Sequence, residues 1–175
     1  MNVPNKLTLS RILLIPAVLA LQWAKVYPAA LAVFAVAAFT DFLDGYLARK
    51  NNQITVFGKF ADPVADKLLV LCSMIVLAEH GLMPSWPVCI VAARELAVDG
   101  LRLVAAGKNK VVAASMAGKI KTNLQLLCVI LCMIRAFAPL PETVILIVCA
   151  LMSAATVYSG FLYFRDLKDV FKEQA

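Results

Sequence analysis

The chain contains 175 residues, of which 62% are hydrophobic and 16% are charged, and its formal net charge is +6. Soluble domains of this length carry more charge and fewer apolar runs, so the composition predicts an integral membrane protein. The basic residues do not form runs interleaved with aromatic side chains, which argues against nucleic acid as a partner.

Six apolar stretches approach the roughly 20 residues that a helix needs to cross a bilayer. They cover residues 7–24, 28–49, 63–79, 85–106, 115–137 and 141–165. Six of the eight prolines lie near the beginnings of these stretches or between them, where a missing backbone amide costs little; they are at positions 28, 63, 84, 87, 139 and 141. The pattern predicts an all-α bundle of six transmembrane helices, formed by a single integral-membrane domain over residues 1–175.

Lysine and arginine are unevenly distributed between the loops. They cluster at both termini and in the second and fourth loops, whereas the other three loops hold only Lys25 and Arg135. Cytoplasmic loops of membrane proteins carry the excess of basic residues. Both termini are therefore predicted to face the cytoplasm, in a protein integral to the cell (cytoplasmic) membrane.

Four aspartates lie where the second span ends and the third begins. D-F-L-D-G-Y-L-A-R starts at Asp41, and G-K-F-A-D-P-V-A-D ends at Asp66 after eight intervening residues. Asp41 and Asp44 are three residues apart and share a helix face, as do Asp62 and Asp66, which are four apart. Crowded carboxylates repel one another near lipid unless divalent cations lie between them. Carboxylates suit Mg²⁺ or Mn²⁺, and two such cations can clamp a phosphoryl group on the cytoplasmic side.

The rest of this motif suits a phosphate-containing ligand. Gly45, Ala48 and Gly58 remove bulk beside the aspartates, and Arg49 offers a planar fork for a diphosphate. The alternative is a helix-end cluster of acids that nearby basic side chains neutralise. Those basic residues are Arg49, Lys50, Lys59 and Lys67.

The pattern D-x-x-D-G-x-x-A-R, eight residues, G-x-x-x-D-x-x-x-D resembles the signature of the CDP-alcohol phosphotransferase family at every fixed position. The resemblance implies six transmembrane helices, usually in a homodimer, and transfer of a phosphatidyl or similar group from a CDP-linked donor to an alcohol, with release of CMP. It implies two divalent cations, Mg²⁺ or Mn²⁺, with the ligands Asp41, Asp44, Asp62 and Asp66. Asp66 is expected to be the catalytic general base as well. The implied CDP-binding residues are Gly45, Ala48, Arg49 and Gly58.

The segment P-N-K-L-T-L-S-R leads into the first span. Asn5, Thr8 and Arg11 follow helical spacing, and we expect them to line the cytoplasmic mouth near the nucleotide. The alternative is a capped helix with an anchor at the membrane interface.

Charged residues interrupt the fourth span at Arg94, Glu95, Asp99 and Arg102. Charges at such positions must face the bundle interior or a wet cavity and find partners. Arg94 and Glu95 point about 100° apart, so they are not expected to neutralise each other face to face. Two structural pairs stay open, Arg94 with Asp99 and Glu95 with Asp99 through a cation.

Basic residues of the fourth and fifth spans are predicted to bind the phosphate of an acceptor substrate. The predicted residues are Arg94, Arg102, Lys119 and Lys121. Lysines that merely set the topology are the alternative, which is strongest for Lys108 and Lys110. Tyr158 and Tyr163 of the sixth span suit either lipid or the cavity, and their positions do not decide between the two.

Two further motifs, R-E-L-x-x-x-G-L-R and G-K-x-K-T-x-x-Q, are similar to the phosphatidylglycerophosphate synthase branch of the family. This resemblance extends from Pro4 through the sixth span. Asp99 departs from it, because a small or hydroxylated residue is expected there. The branch implies CDP-diacylglycerol as donor and sn-glycerol 3-phosphate as acceptor, in an enzyme of phospholipid synthesis.

Three other functions remain open. The same family includes enzymes that use another alcohol, such as serine or inositol phosphate. A divalent-cation transporter predicts acids distributed across the membrane depth, whereas the four aspartates gather at one end of their spans. A purely structural membrane protein predicts that these aspartates tolerate replacement by alanine.

Overall fold

The computed structural model describes the backbone of residues 3–50, 56–108 and 116–168, and the side chains of residues 8–40, 61–108 and 116–168. All regular structure in this part of the chain is helical. The helices are α1 Val3–Trp23, α2 Tyr27–Lys50, α3 Val56–Glu79, α4 Ser85–Gly107, α5 Met116–Arg135 and α6 Glu142–Asp166. The predicted all-α class and the six helices are confirmed.

The third helix begins earlier than the apolar pattern indicates. α3 starts at Val56, so Pro63 lies inside the helix rather than at its beginning. A proline within a helix removes one backbone hydrogen bond, which packing of the surrounding turns can outweigh. Ala61 and Ala65 on either side of Pro63 are buried, and Asp62 therefore stands on a helix already two turns long.

Residues Met1–Leu82 and Val129–Leu140 form one compact unit, in which α1 packs against both α2 and α3. The buried positions of α1 alternate between three and four residues apart, the spacing of helices that pack nearly parallel to one another. They are Thr8, Arg11, Ile15, Val18 and Gln22. Three of these five side chains are polar, so this interior combines apolar packing with polar groups.

Two side-chain contacts tie the end of α1 and the start of α2 to the end of α3. The Trp23 indole Nε1 donates a hydrogen bond to Glu79 Oε2 at 3.2 Å. The Tyr27 hydroxyl lies 2.6 Å from His80 Nδ1, with the two rings edge to face. Lys25 has a φ of +60°, which allows the short turn between α1 and α2.

Residues Met83–Cys128 and Pro141–Ala175 form the second unit, in which α4 packs against α6. Its apolar core contains Val98, Leu101, Ala105, Tyr163 and Leu167. On α4 the buried face repeats every three or four residues and includes one charged residue, Glu95. Glu95 of the R-E-L motif thus lies on the interior face of this unit, whereas Leu96 of the same motif is exposed.

Within the described residues, α5 and α6 are long and apolar enough to cross a membrane. Thr8–Trp23 and Tyr27–Thr40 form shorter apolar helical segments. The exposed side chains include Leu13, Leu96 and Leu103, at 68%, 74% and 75% exposure. Exposed leucines around a partly polar interior reverse the usual arrangement of a water-soluble domain.

Candidate active site

A first candidate site lies where α1 packs against α3. The Thr8 hydroxyl donates a hydrogen bond to Asp62 Oδ1, and Thr8 itself is 1% exposed. Because α1 begins at Val3, Thr8 stands inside the helix and does not cap it. The structure therefore brings a predicted nucleotide contact, Thr8, onto a predicted metal ligand, Asp62.

Asp66 lies one helical turn after Asp62, and both side chains are half-buried. Ala61 and Ala65 precede these aspartates and are buried, so the α3 backbone lies close to its neighbours here. A carboxylate that accepts one hydrogen bond keeps further acceptor capacity on its two oxygens. Asp62 and Asp66, with the Thr8 hydroxyl behind Asp62, thus form an oxygen-only set of the kind that Mg²⁺ and Mn²⁺ prefer.

The remaining predicted ligands of the donor and the metals lie outside the described side chains. These are Asn5, Asp41, Asp44, Gly45, Ala48, Arg49 and Gly58. Their helices are described: α2 runs through Lys50 and contacts α3. Among the side chains that are described, no three His, Cys, Asp or Glu residues gather into a metal-binding group. Convergence of all four aspartates therefore stays a prediction.

A second candidate site, within the other unit, is a buried cluster of charges between α4 and α5. Lys121 Nζ donates to Glu95 Oε1, and Arg94 Nη1 lies 3.3 Å from both oxygens of the same carboxylate. These three side chains are only 8–10% exposed. One carboxylate thus holds two cations, which is how charges are retained in a low-dielectric interior.

The prediction that Arg94 and Glu95 do not neutralise each other is wrong. Their Cα–Cβ bonds diverge around the helix, but the arginine side chain is long enough to bend back to the neighbouring carboxylate. Burial favours this ion pair, because the attraction between opposite charges grows as water is excluded.

The same unit contains a further polar contact, between α4 and Tyr163 on α6. Arg102 Nη2 donates to the Tyr163 hydroxyl at 2.7 Å, and the Arg102 Cζ lies 5.0 Å from the centre of the tyrosine ring. The Arg94 Cζ lies 5.4 Å from the same ring centre. Tyr163 is 5% exposed, whereas Tyr158 is 60% exposed, so the structure separates two tyrosines that the sequence could not distinguish.

The guanidinium groups of Arg94 and Arg102 each have a buried N–H donor that can bind a ligand inside this unit. The buried Nε atoms of Arg94 and Arg102 have no hydrogen-bond partner among the described residues. A buried N–H that is left unpaired costs free energy, and an anion that accepts from it removes this cost. The arrangement is therefore suited to a phosphate. Of the four predicted phosphate ligands, Arg94, Arg102 and Lys121 lie in this interior, whereas Lys119 is exposed.

Further polar side chains of the same unit were missed from the sequence. Gln125 Nε2 lies 3.5 Å from Thr156 Oγ1, and Ser159 donates to the Thr156 carbonyl oxygen at 3.1 Å. Thr156, Ser159 and Tyr163 are buried at spacings of three and four residues on α6. This polar stripe within an apolar span is the sequence signal from which the interior face of α6 could have been predicted.

The comparisons with known proteins agree with these features. A family model described as CDP-alcohol phosphatidyltransferase matches residues 1–158. The chain therefore belongs to the CDP-alcohol phosphatidyltransferase family, and the resemblance seen in its aspartate motif is confirmed. The matched residues include every side chain described above for the two candidate sites except Ser159 and Tyr163.

Curated relatives indicate which branch of this family the chain resembles. A Bacillus subtilis protein named CDP-diacylglycerol–glycerol-3-phosphate 3-phosphatidyltransferase is 46% identical over 143 residues, which cover 73% of this chain and 74% of that protein. A Rickettsia typhi protein of the same name is 36% identical over 181 residues, covering 97% and 99%. A Salmonella typhimurium protein of that name is 43% identical over 136 residues, covering 71% and 72%. Similarity to the phosphatidylglycerophosphate synthase branch is confirmed.

Proposed function

We propose that this chain transfers the phosphatidyl group of CDP-diacylglycerol to sn-glycerol 3-phosphate, which gives phosphatidylglycerol phosphate and CMP. The observation that carries the proposal is the buried set of Arg94, Lys121 and Arg102 in a chain whose relatives bear this enzyme name. An acceptor with a doubly charged phosphate matches several buried cationic donors. Serine carries no phosphate and does not require them.

The donor side of the proposal rests on the aspartate motif. Two divalent cations, Mg²⁺ or Mn²⁺, are proposed to bind the four aspartates, Asp41, Asp44, Asp62 and Asp66. When bound, such cations neutralise the diphosphate and stabilise the charge that develops on phosphoryl transfer. Thr8 fixes the orientation of the Asp62 carboxylate by its hydrogen bond. The proposed contacts to CDP come from Asn5, Thr8, Gly45, Ala48, Arg49 and Gly58.

Asp66 is the proposed general base. Its carboxylate takes the proton from an acceptor hydroxyl while that oxygen attacks the phosphorus next to the diacylglycerol. A new phosphorus–oxygen bond forms, the bond from that phosphorus to the bridging oxygen breaks, and CMP leaves with the bonding electron pair. Arg94, Arg102 and Lys121 hold the acceptor phosphate, so the hydroxyl is presented in a fixed orientation. Lys119, at the exposed surface, draws the anion from water.

The proposal includes a membrane arrangement. All six helices are proposed to cross the cell membrane, with both termini and the active site on the cytoplasmic side, in a homodimer. The exposed leucines of α1 and α4 support contact with lipid, as does the length of α5 and α6. The distribution of lysine and arginine between the loops supports the orientation.

The proposal is tested with purified protein in detergent, CDP-diacylglycerol and one acceptor at a time. We expect CMP release and a phosphatidylglycerol phosphate product with glycerol 3-phosphate, and neither with serine or inositol phosphate. Asp62→Asn should abolish CMP release, because the ligand set loses a negative charge. Asp166→Asn is the matched control, since the Asp166 side chain is 61% exposed and pairs only with the adjacent Arg165 in the contacts described. Success with serine alone would overturn the proposed acceptor.

A further inference from the structure

Tyr163 contacts both arginines that α4 contributes to the buried charge cluster. It lies beyond residue 158, where the family match ends, and it is almost fully buried against α4. The tyrosine hydroxyl accepts a hydrogen bond from Arg102 Nη2, and the ring face lies within 5.0 and 5.4 Å of the two guanidinium carbons. These distances fall inside the range of about 6 Å in which an aromatic ring attracts a cation.

The separation of the two arginines along α4 makes this shared contact informative. Arg94 and Arg102 are eight residues apart, which corresponds to about 12 Å of rise along the helix axis. One tyrosine ring nevertheless reaches both guanidinium groups, so their side chains lean toward each other from positions two turns apart. Two cations that lean together repel, and an electron-rich ring close to both offsets part of that repulsion.

Gly160 supports the same arrangement one turn before Tyr163. A Cβ atom at residue 160 would lie 3.2 Å from Arg94 Cγ and 3.9 Å from its Nε. The first of these distances is shorter than an ordinary carbon–carbon contact. The Arg94 side chain therefore passes over the backbone of α6 at a position where a larger residue would displace it. Gly160 leaves room for the aliphatic part of the Arg94 side chain, and Tyr163 contacts the Arg94 guanidinium group.

We propose that Tyr163 is a positioning residue that holds Arg94 and Arg102 for the phosphate of the acceptor substrate. This inference rests on the proposed function, because it takes the acceptor phosphate as the ligand of the two arginines. The tyrosine hydroxyl occupies one donor of Arg102, and the ring orients both guanidinium planes. The buried Nε–H groups of the two arginines then remain as donors for phosphate oxygens.

The test compares Tyr163→Phe, Tyr163→Leu and the wild-type protein in detergent. Losing the hydroxyl removes one charge-assisted hydrogen bond, so Tyr163→Phe should raise the KM for glycerol 3-phosphate about tenfold. Tyr163→Leu also removes two cation–π contacts and should raise this KM about a hundredfold. The kcat and the KM for CDP-diacylglycerol should stay within about twofold of the wild type. Tyr158→Phe, on the same helix but 60% exposed, is the matched control and should change none of these constants.

Gly160→Ala tests the arrangement from a second position. It should raise the KM for glycerol 3-phosphate severalfold, because the new methyl group displaces the Arg94 side chain. Gly100→Ala on α4 is its control, since a Cβ there meets nothing within 4 Å. If Tyr163→Leu fails to fold, Tyr163→Phe keeps the ring and its packing and still tests the hydrogen bond.

Calorimetric titration of glycerol 3-phosphate into each protein, without donor, separates this inference from the proposed function. If the wild type binds glycerol 3-phosphate but releases no CMP, the proposed reaction fails, and the inference stands if Tyr163→Phe binds more weakly. If the wild type turns over and Tyr163→Phe and Tyr163→Leu keep its KM and binding constant, the inference is overturned. Equal losses in kcat, in both KM values and in the melting temperature would also overturn it, because they indicate a structural role. A wild type that neither binds nor uses glycerol 3-phosphate refutes both.

Discussion

Lys121 of α5 donates a hydrogen bond to Glu95 of α4, although both side chains are more than nine-tenths buried. Removing one member of a buried ion pair leaves a charge in a low-dielectric interior, at a cost of about 3–5 kcal/mol. Replacing both members by neutral groups is far less costly. The stability and the function of this pair can therefore be separated by mutation.

Glu95→Gln should destabilise the protein by about 3 kcal/mol, because Lys121 and Arg94 lose the carboxylate that they share. The double variant Glu95→Gln/Lys121→Met should recover most of this loss, since it removes one of the two buried cations together with the anion. The double variant should nevertheless bind glycerol 3-phosphate more weakly than the wild type, because it lacks the proposed phosphate ligand Lys121. Thermal unfolding in detergent and calorimetric titration measure the two effects. A double variant as unstable as Glu95→Gln would contradict the pairing.

Thr8→Val should impair the use of the divalent cation. The substitution keeps the shape of the side chain but removes the hydrogen bond to Asp62. Partners that orient a metal ligand contribute about 10- to 100-fold in metal affinity. We therefore expect the Mg²⁺ concentration for half-maximal CMP release to rise at least tenfold, with full activity restored at high Mg²⁺. Thr143→Val, at an exposed position near the start of α6, is the control. An unchanged Mg²⁺ dependence would argue against the orienting role of Thr8.

Removal of divalent cations should stop the reaction. The oxygen donors of Asp62, Asp66 and their predicted partners suit hard cations, so a chelator such as EDTA should abolish CMP release. Added Mg²⁺ or Mn²⁺ should restore it, and added Na⁺ at equal ionic strength should not. Activity that persists in EDTA, in protein purified without added metal, would refute the four-aspartate metal site.

The helices were predictable because each contains an apolar stretch that approaches the roughly 20 residues needed to cross a bilayer. The beginning of α3 was not, since Pro63 marks a helix start more often than an interior position, and only tertiary packing around Ala61 and Ala65 decides between the two. Spacing along one helix likewise placed Asp62 and Asp66 on one face. It could not reveal the contact of Thr8 with Asp62, which depends on how α1 lies against α3.

The charge cluster shows the same limit. The sequence predicted that Arg94 and Arg102 face the interior or a wet cavity, because charges in an apolar span need partners. It grouped Lys121 with Lys119 as phosphate ligands and did not predict that only Lys121 is buried. The sequence-based prediction for Arg94 and Glu95 was wrong because the 100° angle between neighbouring residues of a helix fixes only the directions of their Cβ atoms. The ion pair depends on where the end of the long arginine side chain lies. Tyr163 was undecidable because a tyrosine suits both a lipid interface and a polar interior.

Tyr27→Phe should weaken the other end of the first unit without affecting catalysis. It removes the hydrogen bond between the Tyr27 hydroxyl and His80 Nδ1, which is worth about 1 kcal/mol. The edge-to-face ring contact remains, so packing changes little. We expect a small drop in the thermal unfolding midpoint and unchanged KM values for both substrates. A large loss of activity at full stability would show that this end of the unit takes part in the reaction.

Lys121 and Lys119 should differ in their effect on acceptor binding, although they are two residues apart. Lys121 is 7% exposed and lies in the charge cluster with Glu95, whereas Lys119 is exposed. A buried cation acts in a low dielectric, while an exposed one is screened by salt over about 8–10 Å. Lys121→Met should therefore raise the KM for glycerol 3-phosphate at least thirtyfold at any ionic strength. Lys119→Met should raise it about twofold at low salt and not at 0.5 M NaCl, because screening removes its attraction for the incoming anion. The test is to measure the KM for glycerol 3-phosphate of both variants at two salt concentrations. Equal, salt-independent effects would refute the distinction between Lys121, which binds the phosphate, and Lys119, which only attracts it from solution.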